Sequence, residues 1–472
     1  MHANIPKKLL ALVVGSALSL AAASPVVAAQ ANAAQVSAAQ ISATQINTAI
    51  DVDSWANMLS PTVLSPKVLR AEAPIANLNT SKVSIYPEFA DIFAQALQLD
   101  NVPGGVYAIV HRDQIVELKT FGVRSRADNQ PVNASTIFRI ASVSKTFAGS
   151  LTSLLAERGT FNLDDPVTQY IPELQFKSPE YATELRVEHL LSQSTGVIPN
   201  AYDNLIEAAY PRERIIPHFN RINPMCTPGA CYGYQNVLFS LVEDVLHEKT
   251  GQNYEALVQE ELFKPLNMHH ASYGLEAYLA NENRAAAHIR GRNGWFSREV
   301  TPHYYHFPAA AGVNASAIDL AQWLIAHLGY YPEVLPPSAV AATRERKVRT
   351  SRDLRRRDWR QGLTDAHYGL GWRVYDFQQE ELIYHGGWVQ GFRAEISYSP
   401  KYEMGLVLLI NAESSAINQL TPSFWRQAFA RMQAEQWVPY QYANQIQPVP
   451  TPINKPASVA GFPFGWCDTC LL

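Results

Sequence analysis

Apolar, β-rich runs stand near both ends of this chain with a helical stretch between them, and that order limits the architectures open to it. Val106 to Val110 and Ile115 to Leu118, separated by Arg112-Asp113-Gln114, read as a hairpin. Strand signals return only after Tyr368, in Gly371 to Tyr375, Leu382 to His385, Phe392 to Tyr398 and Met404 to Ile410. In the third of these Ala394, Ile396 and Tyr398 alternate with Arg393, Glu395 and Ser397, which predicts a half-buried strand. Ser399-Pro400-Lys401 turns it back into the fourth, whose unbroken apolar character suits a sheet centre. Between the two β blocks, from Leu163 to about Thr364, helical spacing dominates: Val187 to Leu191, Val237 to Leu246, Tyr254 to Leu262, and Leu320 to Leu328 behind a Ser316-to-Asp319 capping box. Three further helices are predicted. One spans Tyr86 to Leu99. Another runs from Ser142 to Glu157, with Val143, Phe147, Leu151 and Leu155 as its buried stripe. The last opens at Thr421-Pro422 and turns Phe424, Trp425, Ala428, Phe429 and Met432 inward. The expectation is an α/β protein of α+β type. An antiparallel sheet built from both chain ends carries an inserted, mostly helical lobe over about 163–364, with a cleft between the lobes.

The 472 residues, 47% hydrophobic and 17% charged, suit a globular chain, and 38 basic against 42 acidic residues imply no general nucleic-acid surface. Residues 1–29 read as a signal peptide: Lys7 and Lys8, then an apolar Leu9 to Ala23, then small residues at Val27-Ala28-Ala29. The expected location is therefore secreted, periplasmic in a Gram-negative source, with no stable membrane span after processing. Residues 30–80 form a low-complexity leader or flexible arm, 81–435 the main domain, and 436–472 a Pro-rich spacer with a cysteine-bearing tail. An exported chain keeps disulfides, so Cys226–Cys231 and Cys467–Cys470 are the favoured pairs. A four-thiolate zinc site or a redox use of Cys467 and Cys470 are the alternatives. His269-His270 and His303 with His306 join no coherent ligand set, and no cofactor or metal is called for.

Three short motifs carry chemistry. Ser142 stands three residues before Lys145 at a helix start, which puts both on one face. A serine hydroxyl needs a base, and a lysine whose pKa is lowered by burial and nearby positive charge can serve. Ser144 adjoins Lys145 and faces elsewhere. Tyr234 and Asn236 stand two apart before a helix. The phenol can relay the serine proton, and the amide can hold Lys145 and a substrate carbonyl. A Cys226–Cys231 bridge would stiffen that loop. Tyr384-His385-Gly386-Gly387-Trp388 ends a predicted strand, where Gly386 and Gly387 admit a close substrate backbone. The N–H groups of Trp388 and Ser142 can form an oxyanion hole. His385 can polarise the relay or contact a substrate carboxylate, and Arg393 can meet a carboxylate from its strand. Lys249-Thr250-Gly251 is rejected as a third motif, because Gly251 is a natural helix C-cap. Arg344 to Arg360 is strongly basic, suited either to an anionic surface or to a solvated loop.

In this order and spacing the motifs resemble the serine β-lactamase and penicillin-binding-protein superfamily. The likeness is to its class C β-lactamase-like group of D,D-carboxypeptidases, D-aminopeptidases and esterases. Leu163-Asp164-Asp165-Pro166, His189 to Gly196, Ala311 to Ala315 and Tyr368-Gly369-Leu370-Gly371-Trp372 add to the likeness, which covers about Gly104 to Ala434. The resemblance implies acylation of Ser142, proton handling by Lys145 and Tyr234, and a site completed by Asn236 and His385. His385 stands where β-lactamases keep lysine, which argues against efficient β-lactamase action. The expected partner is a small-molecule or peptide substrate, D-amino-acid peptides and esters included. The rival readings are a non-catalytic peptidoglycan or ligand binder on the same fold, and a protein whose terminal arms carry its main function.

Overall fold

The computed structural model describes residues 87–434. The signal peptide, the leader and the Cys467–Cys470 tail fall outside the described residues.

Both chain ends feed one eight-stranded antiparallel sheet. Its strands, numbered here along the chain, are β1 (Gly104–His111), β2 (Gln114–Gly122), β3 (Val348–Arg349), β4 (Leu363–Tyr368), β5 (Arg373–Phe377), β6 (Glu380–Val389), β7 (Phe392–Ser399) and β8 (Met404–Ile410). In space the order is β2-β1-β8-β7-β6-β5-β4-β3. The N-terminal hairpin therefore closes onto the C-terminal meander through β1 and β8, with Gly105 opposite Ile410 and His111 opposite Met404. β3 lies within the stretch predicted to be mostly helical, and β4 straddles its end.

Four long helices cover the sheet: α1 (Pro87–Leu99), α2 (Ser144–Glu157), α3 (Ala317–His327) and α4 (Ile417–Gln433). α2 and α3 pack with the inserted lobe against Val374, Ile383, Ile396 and Val407 of one face. α1 and α4 pack on the other face, against Tyr107, Tyr375, Tyr384 and Leu408. This second layer corrects the half-buried reading of β7. Glu395 and Ser397 are buried because α4 covers them: Thr421 donates to Glu395, and the Trp425 indole donates to Ser397 at 2.8 Å. α4 also begins earlier than predicted, at Ile417, and carries Pro422 inside its first two turns. Pro422 is the sixth residue, past the first four donors that lack an intrahelical acceptor, so it costs the helix one bond, the one to the Asn418 carbonyl.

The inserted lobe is not purely helical. Ala287–Gly291 and Gly294–Arg298 form a hairpin, and Phe138–Arg139, Val313–Ala315 and Ser272–Tyr273 form a small second sheet. The Val237 to Leu246 stretch is a 3-10 turn, Phe239–Leu241, running into a helix, Val242–Thr250. Gly251 caps that helix in the left-handed region (φ 68°), as the rejected Lys-Thr-Gly reading required. The Ser316 capping box forms in full, with Asp319 accepting from the Ser316 N–H at 2.8 Å and the Ser316 hydroxyl accepting from the Asp319 N–H at 3.2 Å.

Candidate active site

The turn that carries Ser142, the candidate nucleophile, lies between the small sheet and α2. Ser142 sits in a 3-10 turn, Ala141–Val143, just before α2 and not within it. Ala141 holds a left-handed backbone (φ 52°), a costly conformation for a residue with a side chain. That kink leaves the Ser142 side chain only partly buried. Ser144, the neighbouring hydroxyl, is fully buried and accepts from the Val313 N–H at 3.0 Å, so it is held as structure.

Lys145 follows on the first turn of α2 and is completely enclosed. Its Nζ lies 3.4 Å from Ser142 Oγ, and it donates to Asn236 Oδ1 at 2.7 Å and to the Ala310 carbonyl at 3.1 Å. The Tyr234 ring centroid is 4.8 Å from Nζ. Burial pulls the Lys145 pKa down to about 7 against the pull of Asp203, and the Arg373 cation lowers it further. A lysine so placed is largely free base just above neutrality, as a base for Ser142 must be. Burial raises the Tyr234 phenol well above its ordinary value, so it stays protonated, within hydrogen-bonding reach of Ser142.

Tyr234 and Asn236 come from a loop clamped from behind. The Gln193 amide accepts from the Gln235 N–H at 2.6 Å and donates to the Gln235 carbonyl at 3.1 Å, while the Gly233 N–H donates to the Gln193 carbonyl at 2.8 Å. Cys226 and Cys231 are joined, as expected, across the same loop. Asn236 is oriented without ambiguity. The Asp203 carboxylate accepts, so Nδ2 faces it and donates at 2.8 Å, which turns Oδ1 toward the Lys145 amine at 2.7 Å. One N–H of that amide remains for a substrate carbonyl.

β6 supplies the other wall. Gly387 lies so close to the nucleophile turn that a Cβ there would stand 2.1 Å from the Ile140 carbonyl oxygen. Trp388 follows it on the same strand, with its ring exposed and its indole N–H donating to Glu413 at 2.9 Å. His385 on the same strand is buried against Tyr368, close enough to Lys145 to feel its charge. Its Nε2 meets the Tyr368 hydroxyl at 2.8 Å and its Nδ1 the Gly386 carbonyl region at 3.0 Å. Burial, with Arg373 and Lys145 nearby, holds it well below its ordinary pKa, so it is neutral. A neutral ring with both nitrogens engaged offers no cation to a substrate carboxylate. It orients Tyr368 at the edge of the site. Arg393 is likewise committed: it donates to Asn418 and lies 5.4 Å from the Trp388 ring.

Two charged residues of the site had no motif to announce them. Asp203, at the start of a short helix (Asp203–Glu207), accepts from Asn236, and burial raises its pKa to about 6. Arg373, on β5, is ion-paired to Asp353 and sits among Tyr232, Tyr234 and Tyr368, 5.9, 5.8 and 5.4 Å from their ring centroids. The only signal for Arg373 was its place directly after Tyr368 to Trp372. For Asp203 there was none.

The sequence profile of the Beta-lactamase family matches residues 89–427. The chain belongs to the Beta-lactamase family. Relatives within that family include the unguisins hydrolase ungD' of Aspergillus campestris, 25% identical over 70% of this chain and 62% of that protein. The beta-lactamase of Escherichia coli K12 is 24% identical over 67% of this chain and 85% of that protein. Protein flp of Staphylococcus aureus is 24% identical over 70% of this chain and 64% of that protein. The chain thus spans a little over three-fifths of the first and third of these relatives. The octameric penicillin-binding protein homologue from Pyrococcus abyssi shares the fold, with a TM-score of 0.65 at 21% identity, over 73% of this chain and 77% of that one.

Proposed function

We propose that this Beta-lactamase-family protein is an exported serine hydrolase that cleaves amide, ester or lactam carbonyls through an acyl-enzyme on Ser142. The observation that carries this is the buried Lys145, its pKa drawn to about 7, with its amine 3.4 Å from the half-buried Ser142 hydroxyl. In acylation the Lys145 amine takes the Oγ proton as Oγ bonds to the carbonyl carbon. The carbonyl oxygen becomes an oxyanion that accepts from the Ser142 and Trp388 N–H groups. Collapse breaks the bond to the leaving nitrogen or oxygen. That atom takes the Tyr234 phenol proton, and the Lys145 ammonium restores it. In deacylation water attacks the ester, its proton passes to the Tyr234–Lys145 pair, and Ser142 Oγ leaves and is reprotonated. Asn236 holds the Lys145 amine and offers its spare N–H to the substrate. Because His385 is neutral and engaged, an efficient β-lactamase is the less favoured form, and a peptidase or esterase acting on small or peptide substrates the more favoured.

The test is to quench the protein early in its reaction with a p-nitrophenyl ester and map the adduct by peptide mass. An acyl group on Ser142, absent from Ser142→Ala together with at least a thousandfold loss of nitrophenol release, is expected. Full hydrolysis by Ser142→Ala would refute the assignment.

A further inference from the structure

Lys145 is flanked by two half-buried charges of opposite sign, and each reaches it through a different site residue. On one side a chain of two bonds runs from Lys145 Nζ to Asn236 Oδ1 (2.7 Å) and from Asn236 Nδ2 to Asp203 Oδ2 (2.8 Å). The other Asp203 oxygen, Oδ1, is buried without a hydrogen-bond partner among the described residues. On the other side the Arg373 guanidinium packs 5.8 Å from the centroid of the Tyr234 ring, whose other neighbour is Lys145 Nζ at 4.8 Å. Asp353, from a 3-10 turn (Asp353–Arg355) in the basic stretch, anchors that guanidinium.

We infer that Asp203 and Arg373 are positioning residues for the acylation step. Asp203 holds and charges Lys145 through the Asn236 amide, and Arg373 opposes it from behind Tyr234. This rests on the acyl-enzyme reading above. Neither residue bonds to Ser142 among the described residues. Their action is on the base: Asp203 favours the Lys145 ammonium that proton transfer from serine creates, and Arg373 disfavours it. The balance sets the pH at which Lys145 is free to accept a proton and how willingly it does so. The surroundings leave these two as the charges that matter. His385 on β6 is neutral, and Tyr234 is protonated. Asp203 itself faces Lys145, Glu207 and the Tyr234 and Tyr304 phenols. Arg373 faces Asp353, Tyr232, Tyr234, Tyr368 and Tyr375.

The experiment is the pH dependence of Ser142 acylation by p-nitrophenyl acetate, read as burst rate and as adduct mass, in the full chain. Asp203→Asn keeps an acceptor for the Asn236 amide and removes only the charge. Its acid limb is expected to move to lower pH by about half a unit or more, with the adduct still on Ser142. Asp203→Ala also frees the amide, and its plateau rate should fall about tenfold with KM little changed. Arg373→Met should move the acid limb the other way, to higher pH, and Arg373→Lys, which keeps the charge, should stay near wild type. Since Arg373→Met strands the Asp353 charge, the double variant Arg373→Met with Asp353→Asn removes the pair together and keeps the test open if the single variant does not fold. Opposite shifts support the inference, because a merely structural role would lower rates without a signed displacement. Limbs that stay in place, or move the same way in both variants, overturn it while leaving Ser142 as nucleophile. A wild-type protein that forms no adduct at any pH overturns the acyl-enzyme reading and this inference with it.

Discussion

At the scale of single residues the site is an arrangement that makes one amine neutral. The Lys145 pKa falls to about 7 because the amine is wholly enclosed and meets only the Ser142 hydroxyl, an amide oxygen and a carbonyl, with no carboxylate in contact among the described residues. With a pKa near 7, the base form grows as pH rises, so kcat/KM for acylation should climb through about pH 7 and then level. Lys145→Ala should cost about a hundredfold to ten-thousandfold in kcat/KM and remove that limb. A limb that persists in Lys145→Ala would assign the titration to another group. Ser142, Lys145, Tyr234 and Asn236 were legible in the sequence because short spacings on one turn or loop fix relative position without the rest of the fold. Asp203 and Arg373 were not, since each reaches the site through tertiary packing, from a short helix 33 residues before Asn236 and from β5. His385 was legible as a position but not as a state. Its neutrality comes from burial, with the Arg373 and Lys145 cations nearby, and no local pattern announces those surroundings.

The elements of the site are held at close approach, which explains where glycine is required. Gly387 on β6 lies against the Ile140 carbonyl, and Gly371 (φ 76°) lies against the Lys145 carbonyl, where a Cβ would come to 2.2 Å. Both contacts are to backbone, so no side-chain rotation can relieve them. Gly387→Ala should push β6 away from the nucleophile turn and lower the Ser142 acylation rate at least about tenfold, since even a small misplacement of the oxyanion donor is costly. Its melting temperature should fall only modestly, because the strand keeps its pairing to β7 along the rest of its length. An acylation rate equal to wild type would show that the Gly387–Trp388 segment does not serve the oxyanion. The sheet strands themselves were largely readable from apolar alternation and turn residues. β7 misled because the pattern assumes that polar residues face water. Glu395 and Ser397 instead meet Thr421 and Trp425 of α4, and only the second helical layer supplies those partners. The basic run from Arg344 to Arg360 was similarly opaque: carboxylates distant in sequence, Glu381, Asp376, Glu188 and Asp365, pair with much of it.

For the whole molecule, the same burial that tunes Lys145 traps other titratable groups in the charge state that suits the core, and stability must follow pH accordingly. His327 on α3 joins the inserted lobe to the sheet. Its ring contacts the Ser150 hydroxyl at 3.1 Å and the Tyr398 hydroxyl at 3.3 Å, packed against Trp323 and Trp372. Burial holds its pKa at about 3. The unfolded chain takes up this proton below about pH 6.5 and the native state does not, so stability present above that value declines as pH falls toward 3. Glu243 behaves in the opposite sense. It accepts from the Ala309 N–H at 2.8 Å, and burial raises its pKa to about 8 in spite of Arg212 at 3.8 Å. The native state keeps that proton after the unfolded chain has lost it, so stability declines as pH rises from about 4.5 to about 8. Each unit of separation is worth about 1.4 kcal/mol, enough for either group to be seen in a folding equilibrium of ordinary size. Asp203 and Lys145, with native values of about 6 and about 7, bend the wild-type profile as well, so the two contributions are read as differences from wild type in urea midpoints measured across pH 3 to 9. His327→Gln should flatten the acid side alone, and Glu243→Gln the alkaline side alone. If the two variants change the same side, or neither changes the slope, the burial-driven charge states assigned to these residues are wrong. If each flattens its own side, the low-dielectric interior that makes Lys145 a base is a property of the packed lobes, and the active site inherits it.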